Sequence, residues 1–180
     1  MTDRAFDLLE AWWSLGEEGW FRQSDENDAL LKDRFADLVV EARAGTLDDW
    51  KNAPHTALAL MLCLDQLPRN LYRGTPEAFS SDGDALKLAD HVRANRFDKA
   101  YFGMVRGFFY LPYMHAEDMD AQSLCCDLYR EIDNQNAYYY ALVHMDAIRR
   151  FGRFPHRNKI LGRVSTPEEE AYMASGGFAA

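Results

Sequence analysis

Apolar positions along this chain recur at three- and four-residue steps, and no stretch sustains the period-two alternation of a half-buried strand. Phe6, Leu9 and Trp13 share one face over residues 3–15, with Gly16 as a stop. Leu30, Leu31, Phe35, Leu38 and Val39 do the same over residues 25–44, ahead of Gly45. Thr46 with Asp49 predicts the cap of a short helix to Asn52. Pro54 suits the first turn of a helix through Ala57, Leu58, Leu60, Met61, Leu62 and Leu64 that is apolar on every side, hence central and buried. Proline's clash with the preceding turn is expected to end it at Leu67-Pro68. Further helices are predicted over residues 81–95, over 102–111 with Pro112 as a stop, over 117–132 and over 135–150. Thr166-Pro167-Glu168-Glu169 combines an N-cap, a first-turn proline and an N3 glutamate, and announces a last short helix. Eight or nine helices with short links predict an all-α helical array, read as a single domain over residues 1–180.

Composition narrows the picture. At 180 residues, 48% hydrophobic and 13% aromatic, the chain is too apolar for disorder and long enough for a substantial core. A net charge of −9 argues against general nucleic-acid binding, which needs a broad basic face. The longest apolar run, residues 57–64, is less than half a membrane span, and Met1-Thr2-Asp3-Arg4 lacks an export pattern, so a cytoplasmic protein with no membrane partner is expected. Cys63, Cys125 and Cys126 have no zinc-like spacing and are read as reduced thiols. Neither a metal site nor a cofactor is expected.

Four groups of residues carry candidate chemistry. Asp65-Gln66-Leu67-Pro68-Arg69-Asn70 with Arg73 follows the apolar helix, where an aspartate opposes the helix dipole and needs a cation. Asp65, Arg69, Asn70 and Arg73 either fix this turn or face a ligand. Aromatics deliver the chain to His115, Glu117 and Asp118, where carboxylates suit a helix start and His115 with Glu117 suits acid–base or hydrogen-bonding work. His144 shares a register with Ala137, Ala141, Ile148 and Phe151, which places it on a buried face, either as a satisfied core histidine or in a cavity wall. Between Ala147 and Pro167 six arginines or lysines occur with no acidic residue, in a chain that is otherwise strongly negative. Arg150, Arg153, His156, Arg157 and Asn158 in this stretch pair with distant carboxylates or await an anion. Trp20 and Phe178 are read as exposed aromatics that hint at a contact surface.

These segments, Asp65-Gln66-Leu67-Pro68-Arg69-Asn70, Arg73-Gly74-Thr75, Tyr110-Leu111-Pro112 with His115-Ala116-Glu117-Asp118, Arg150-Phe151-Gly152-Arg153-Phe154-Pro155-His156-Arg157-Asn158 and Ser165-Thr166-Pro167-Glu168-Glu169, resemble in the same order the bacterial family called domain of unknown function 924. The resemblance implies a tetratricopeptide-like superhelix without an established activity, in keeping with Trp12, Leu15 and Gly16 at tetratricopeptide spacing, although Gly19 stands where that consensus has tyrosine. Tyr113-Met114 precedes His115 where the family often has a glutamate, which withholds a further carboxylate there. Two functions compete. One is a binding module whose arginines and histidines receive an anionic small molecule or a peptide carboxylate. The alternative is a metal-independent, hydrolase-type enzyme in which His115, His144 or His156 is the general acid or base, supported by Asp65 or Glu117 and by arginines.

Overall fold

The helical periodicity carries through: the computed structural model describes residues 2–178, and among the described residues there is helix, turn and coil but no strand. No helix among them is long and apolar enough to cross a membrane. The chain packs as two compact units, Met1–Tyr101 and Phe102–Ala180.

The first unit contains α1 (Thr2–Ser14), α2 (Gly16–Phe21), α3 (Asp25–Arg43), α4 (Pro54–Met61), α5 (Leu67–Leu71) and α6 (Asp82–Ala94). Ser24 caps α3 by accepting from the Asn27 N–H, as a serine just ahead of an acidic first turn should. Helix α4 is the buried centre, with every residue from Thr56 to Met61 inside, packed against α1 and α6. Its apolar character on all sides follows from that position. The expected cap by Thr46 does not form: its hydroxyl donates to the Glu41 carbonyl, and a 3-10 turn, Asp48–Asn52, starts without a side-chain cap.

Pro68 does not end the central helix. The chain widens into one π turn, Leu62–Gln66, and continues directly into α5 with Pro68 in its first turn. Proline has no N–H for the Leu64 carbonyl, and the Ser81 hydroxyl fills that role at 2.8 Å. The π turn also turns Asp65 into the interior, where it is fully buried. Arg69 answers it, donating to the Asp65 carbonyl oxygen at 2.7 Å, standing 3.4 Å from its carboxylate, and gripping both oxygens of Asp82 at 3.0 and 3.1 Å. Asn70 and Arg73 both donate to Asp28 on α3, at 2.7 and 3.0 Å. The polar motif therefore ties α5 to α3 and to the start of α6.

The second unit contains α7 (Gly103–Gly107), α8 (Leu111–His115), α9 (Met119–Glu131), α10 (Gln135–Phe151) and α11 (Pro167–Ala174). Pro112 opens α8 instead of closing the helix before it, as its missing N–H permits. Gly107 lets the chain come close to α9: a Cβ there would stand 3.1 Å from Tyr129, whose hydroxyl donates to the Gly107 carbonyl. Helices α9 and α10 pack along each other, and α8 lies against both. Asp118 caps α9 and Asn134 caps α10. Gly152, left-handed at φ 69°, ends α10 and turns the chain into the basic loop.

The two halves of the first unit's polar motif differ in burial, and so should their energetics. Arg69→Ala removes the guanidinium that stands 3.4 Å from the carboxylate of fully buried Asp65 and is expected to cost about 3–5 kcal/mol in urea unfolding. Arg73→Ala removes a guanidinium that is 40% exposed beside Asp28 and should cost no more than about 1 kcal/mol.

Candidate functional site

A run of cations with no carboxylate among them must find its counter-charge elsewhere, and in the second unit most of it does. Arg149 and Arg150 face Asp146, one turn back on α10, at 2.7 and 3.7 Å. The Arg150 guanidinium also lies over the Phe151 and Tyr172 rings. Arg153 forms a two-pronged pair with Glu169 at 2.6 and 2.8 Å. Arg163 grips Glu117 the same way at 2.7 and 2.9 Å. Arg150, Phe151, Arg153, Thr166, Glu168 and Glu169 line an open groove of about 740 Å³, where two acidic side chains already offset the arginines.

Glu169 is the hub of the loop. Its carboxylate accepts from the Thr166 N–H to complete the capping box, and also from Arg153 and Asn158. The Arg153 hydrogen bond is foremost in holding its pKa down to about 2 against burial. Asn158 passes the link on, accepting from Arg163 at 2.9 Å. Arg163 and Glu117 then clamp Phe154: Glu117 accepts its N–H at 2.8 Å and Arg163 donates to its carbonyl at 3.0 Å. Desolvation pushes the Glu117 carboxyl up, but hydrogen bonds from Arg163 and the Phe154 N–H, with the charges of Arg163 and Arg157, outweigh it and leave its pKa below the usual value.

Around the clamped, fully buried Phe154 ring stand the histidines. His144 is 5.6 Å and His156 is 5.5 Å from it between ring centroids, and His115 is 6.3 Å from His144. Buried Arg157 lies over the same ring at 4.6 Å, a cation–π contact. Phe178 closes the group, 4.0 Å from His144 and 5.1 Å from His156. The reading of Phe178 and Trp20 as exposed aromatics is corrected here: both are partly buried, Phe178 on the histidines and Trp20 edge-on to Trp13, because each has an aromatic neighbour that the sequence order hides.

His144 places Nδ1 2.7 Å from the Tyr140 carbonyl, which can only accept, so the proton sits on Nδ1 and Nε2 is left as the acceptor. Burial, then the charges of His115, Arg157 and His156, lower its pKa to about 3. Burial and the Arg157 charge lower that of His156 to about 4, opposed by a hydrogen bond to the Phe178 backbone and by Glu117. The other difference between the two rings is decisive: His156 Nδ1 is buried and has no hydrogen-bond partner. At neutral pH His144 and His156 are thus uncharged imidazoles in the positive field of Arg157 and Arg163. Among the described residues, no three His, Cys, Asp or Glu side chains are placed to hold a metal ion.

The residues singled out from sequence fall into two groups. Asp65, Arg69, Asn70 and Arg73 belong to the first unit, in the turn-fixing network described above. His115, Glu117, His144, His156, Arg150, Arg153, Arg157 and Asn158 belong to the second, where the histidines and Arg157 gather round Phe154 and the others support or flank them. The sequence reading gave no role to Glu169 as the loop's counter-charge or to Phe178 as its cover. The capping box signalled Glu169; nothing local signalled Phe178.

The sequence pattern of a bacterial protein family of unknown function, DUF924, matches residues 8–177. The chain belongs to this family. A solved structure titled as a protein of unknown function from Agrobacterium tumefaciens is 40% identical to this DUF924 protein, with a TM-score of 0.94 over 97% of this chain and 99% of that one. No curated protein matches.

The depressed imidazoles have a consequence for stability. Above pH 6.5 they are neutral in both folded and unfolded states. As pH falls below 6.5 the unfolded chain binds protons that the folded His144 and His156 refuse until about pH 3 and 4, so stability drops with falling pH. Between pH 6.5 and 4.5 each imidazole contributes a slope of up to about 1.4 kcal/mol per pH unit. Urea titrations across that window should show the fall, and His144→Gln should flatten it by close to one imidazole's share; an identical slope in the variant refutes the assignment.

Proposed function

We propose that this DUF924 protein is a binding module and that the histidine cluster of its second unit takes a small anion, a carboxylate in the first instance, supplied by a small molecule or a peptide. The observation that carries the reading is the buried, unpartnered Nδ1 of His156 beside a buried guanidinium. A buried polar atom without a partner costs about 1–3 kcal/mol, which a ligand reaching it would recover. A carboxylate entering the field of Arg157 and Arg163 would also offset what depresses the His156 pKa, so the ring would take up a proton and donate it to the anion.

Binding is favoured over acid–base catalysis by the same electrostatics. A general base works best with a pKa near the working pH, and imidazoles held at about 3 and 4 are weak bases at neutrality. The arginines at positions 153, 150, 73 and 69 are held by Glu169, Asp146, Asp28 and Asp82, and the Arg157 guanidinium lies over the Phe154 ring that His144 and His156 flank. Arg153 and Asn158 would then support the site through Glu169 without touching the ligand.

Proton uptake gives the reading a signature. Titration with acetate and with N-acetylglycine, followed through the imidazole NMR signals, should perturb His156 and His144. Affinity should weaken as pH rises above about 4, by at most about tenfold per pH unit, the limit for uptake of one proton, and level off once the pH passes the His156 pKa in the complex. His156→Ala should lose at least tenfold in affinity together with the pH dependence. Unmoved histidine signals at every pH would reject the proposal.

A further inference from the structure

We infer that Phe178 is an internal stand-in for the ligand's own aromatic group, so that the histidine cluster selects an aromatic carboxylate and the turn carrying Phe178 is displaced when it binds. This rests on the anion-binding reading above and adds the ligand's second chemical feature.

Helix α11 stops at Ala174, and the chain then doubles back over the helix's own Tyr172. Gly176 is left-handed at φ 82°. Gly177 lies so close to Tyr172 that a Cβ would stand 2.6 Å from its ring and carbonyl oxygen. The Gly177 N–H donates to the Tyr172 carbonyl and the Phe178 N–H to the Tyr172 hydroxyl, each at 2.9 Å. These bonds aim one ring at the cluster. Phe178 meets His144 at 4.0 Å and 47°, His156 at 5.1 Å and 85°, and Phe154 at 6.3 Å and 64°. The edge-on geometries to His156 and Phe154 are those that aromatic pairs prefer, so the walls are shaped for a flat ring.

Phe178 is partly buried, packed against Ala147, Ile148 and Phe154, and the backbone of Phe154 is held by the ion-paired Glu117 and Arg163. Its tethers are the Tyr172 hydroxyl and a backbone hydrogen bond to His156, the residue whose other ring nitrogen stays unsatisfied. A phenylalanine ring thus fills the apolar part of the site and leaves the polar part unmet. A ligand joining a ring to a carboxylate by a short aliphatic link satisfies both, at the expense of Phe178.

The test uses the full chain with acetate, benzyl alcohol and 3-phenylpropionate as probes, on the wild type, Phe178→Ala and Tyr172→Phe. Phe178→Ala vacates the ring position; Tyr172→Phe keeps every ring and removes only the hydroxyl that tethers the turn. 3-Phenylpropionate is expected to bind Phe178→Ala at least tenfold more tightly than wild type and Tyr172→Phe a few-fold more tightly. Acetate should change by less than threefold in either, and benzyl alcohol should bind more weakly than 3-phenylpropionate throughout. Equal or weaker 3-phenylpropionate binding in both variants overturns the inference. If acetate still perturbs His156 in that case, the anion site survives and only the aromatic selection fails. If neither acid perturbs a histidine in any form, both readings fall together.

Discussion

A carboxylate taken out of water is tolerable only when cations and donors surround it, and in the second unit the Glu169 carboxylate meets that condition by gathering chain from three places. Arg153 comes from just after α10, Asn158 from the middle of the basic loop, and the Thr166 N–H from the start of α11. A loop rich in arginine would otherwise repel itself. Fixed at these points it has one course, and that course sets Phe154 inward, Arg157 across its face and His156 beside it. Glu117 and Arg163 repeat the arrangement from the side of α9, holding both backbone polar groups of Phe154. Two carboxylates thus give the basic stretch a defined shape, and the histidine cluster depends on that shape.

The same physics explains which parts of the structure could be read in one dimension. Local signals transferred well. The capping box at Thr166 and Glu169 forms as its spacing demands, and the 3-4-3-4 register of Ala137, Ala141, His144 and Ile148 does mark the buried face of α10. The prolines misled because their rule concerns an absent N–H and not a helix end. At Pro68 a widened turn and the Ser81 hydroxyl absorb the missing donor, and at Pro112 the same residue type begins a helix. Partnerships over long separations could not be read at all. That Arg163 belongs to Glu117, or Arg73 to Asp28, depends on which helices pack together, and charge pattern alone allows many pairings. Phe178 is the extreme case, since its position depends on two glycines and the ring of Tyr172, none of which carries a functional mark in sequence.

Charge pairing also reassigns the arginines. A guanidinium in a two-pronged pair with a carboxylate has its planar fork filled, and a new anion must compete with a partner already in place. Arg153 and Arg163 are in this state, so their contribution is geometric: they position His156 and Arg157. Glu168 and Glu169 do for the open groove near Arg150 what Glu169 does for the loop, turning a basic surface into a balanced one.

The polar motif of the first unit supplies the contrast that locates the candidate site. Asp65 is as buried as any residue of the chain, yet the ligand-like residues beside it, Arg69, Asn70 and Arg73, each reach a carboxylate within hydrogen-bond distance. Such a network specifies a turn and has no need of an outside partner. In the second unit the two ion-paired clamps are equally complete, but they surround a ring nitrogen that is buried and unmet. A protein that required only a stable core there would do better with an apolar side chain at position 156, because an unsatisfied buried acceptor costs free energy. Strained or unsatisfied polar groups held in place by a well-satisfied frame are where a binding function is to be sought, and His156 Nδ1 in the second unit is such a group.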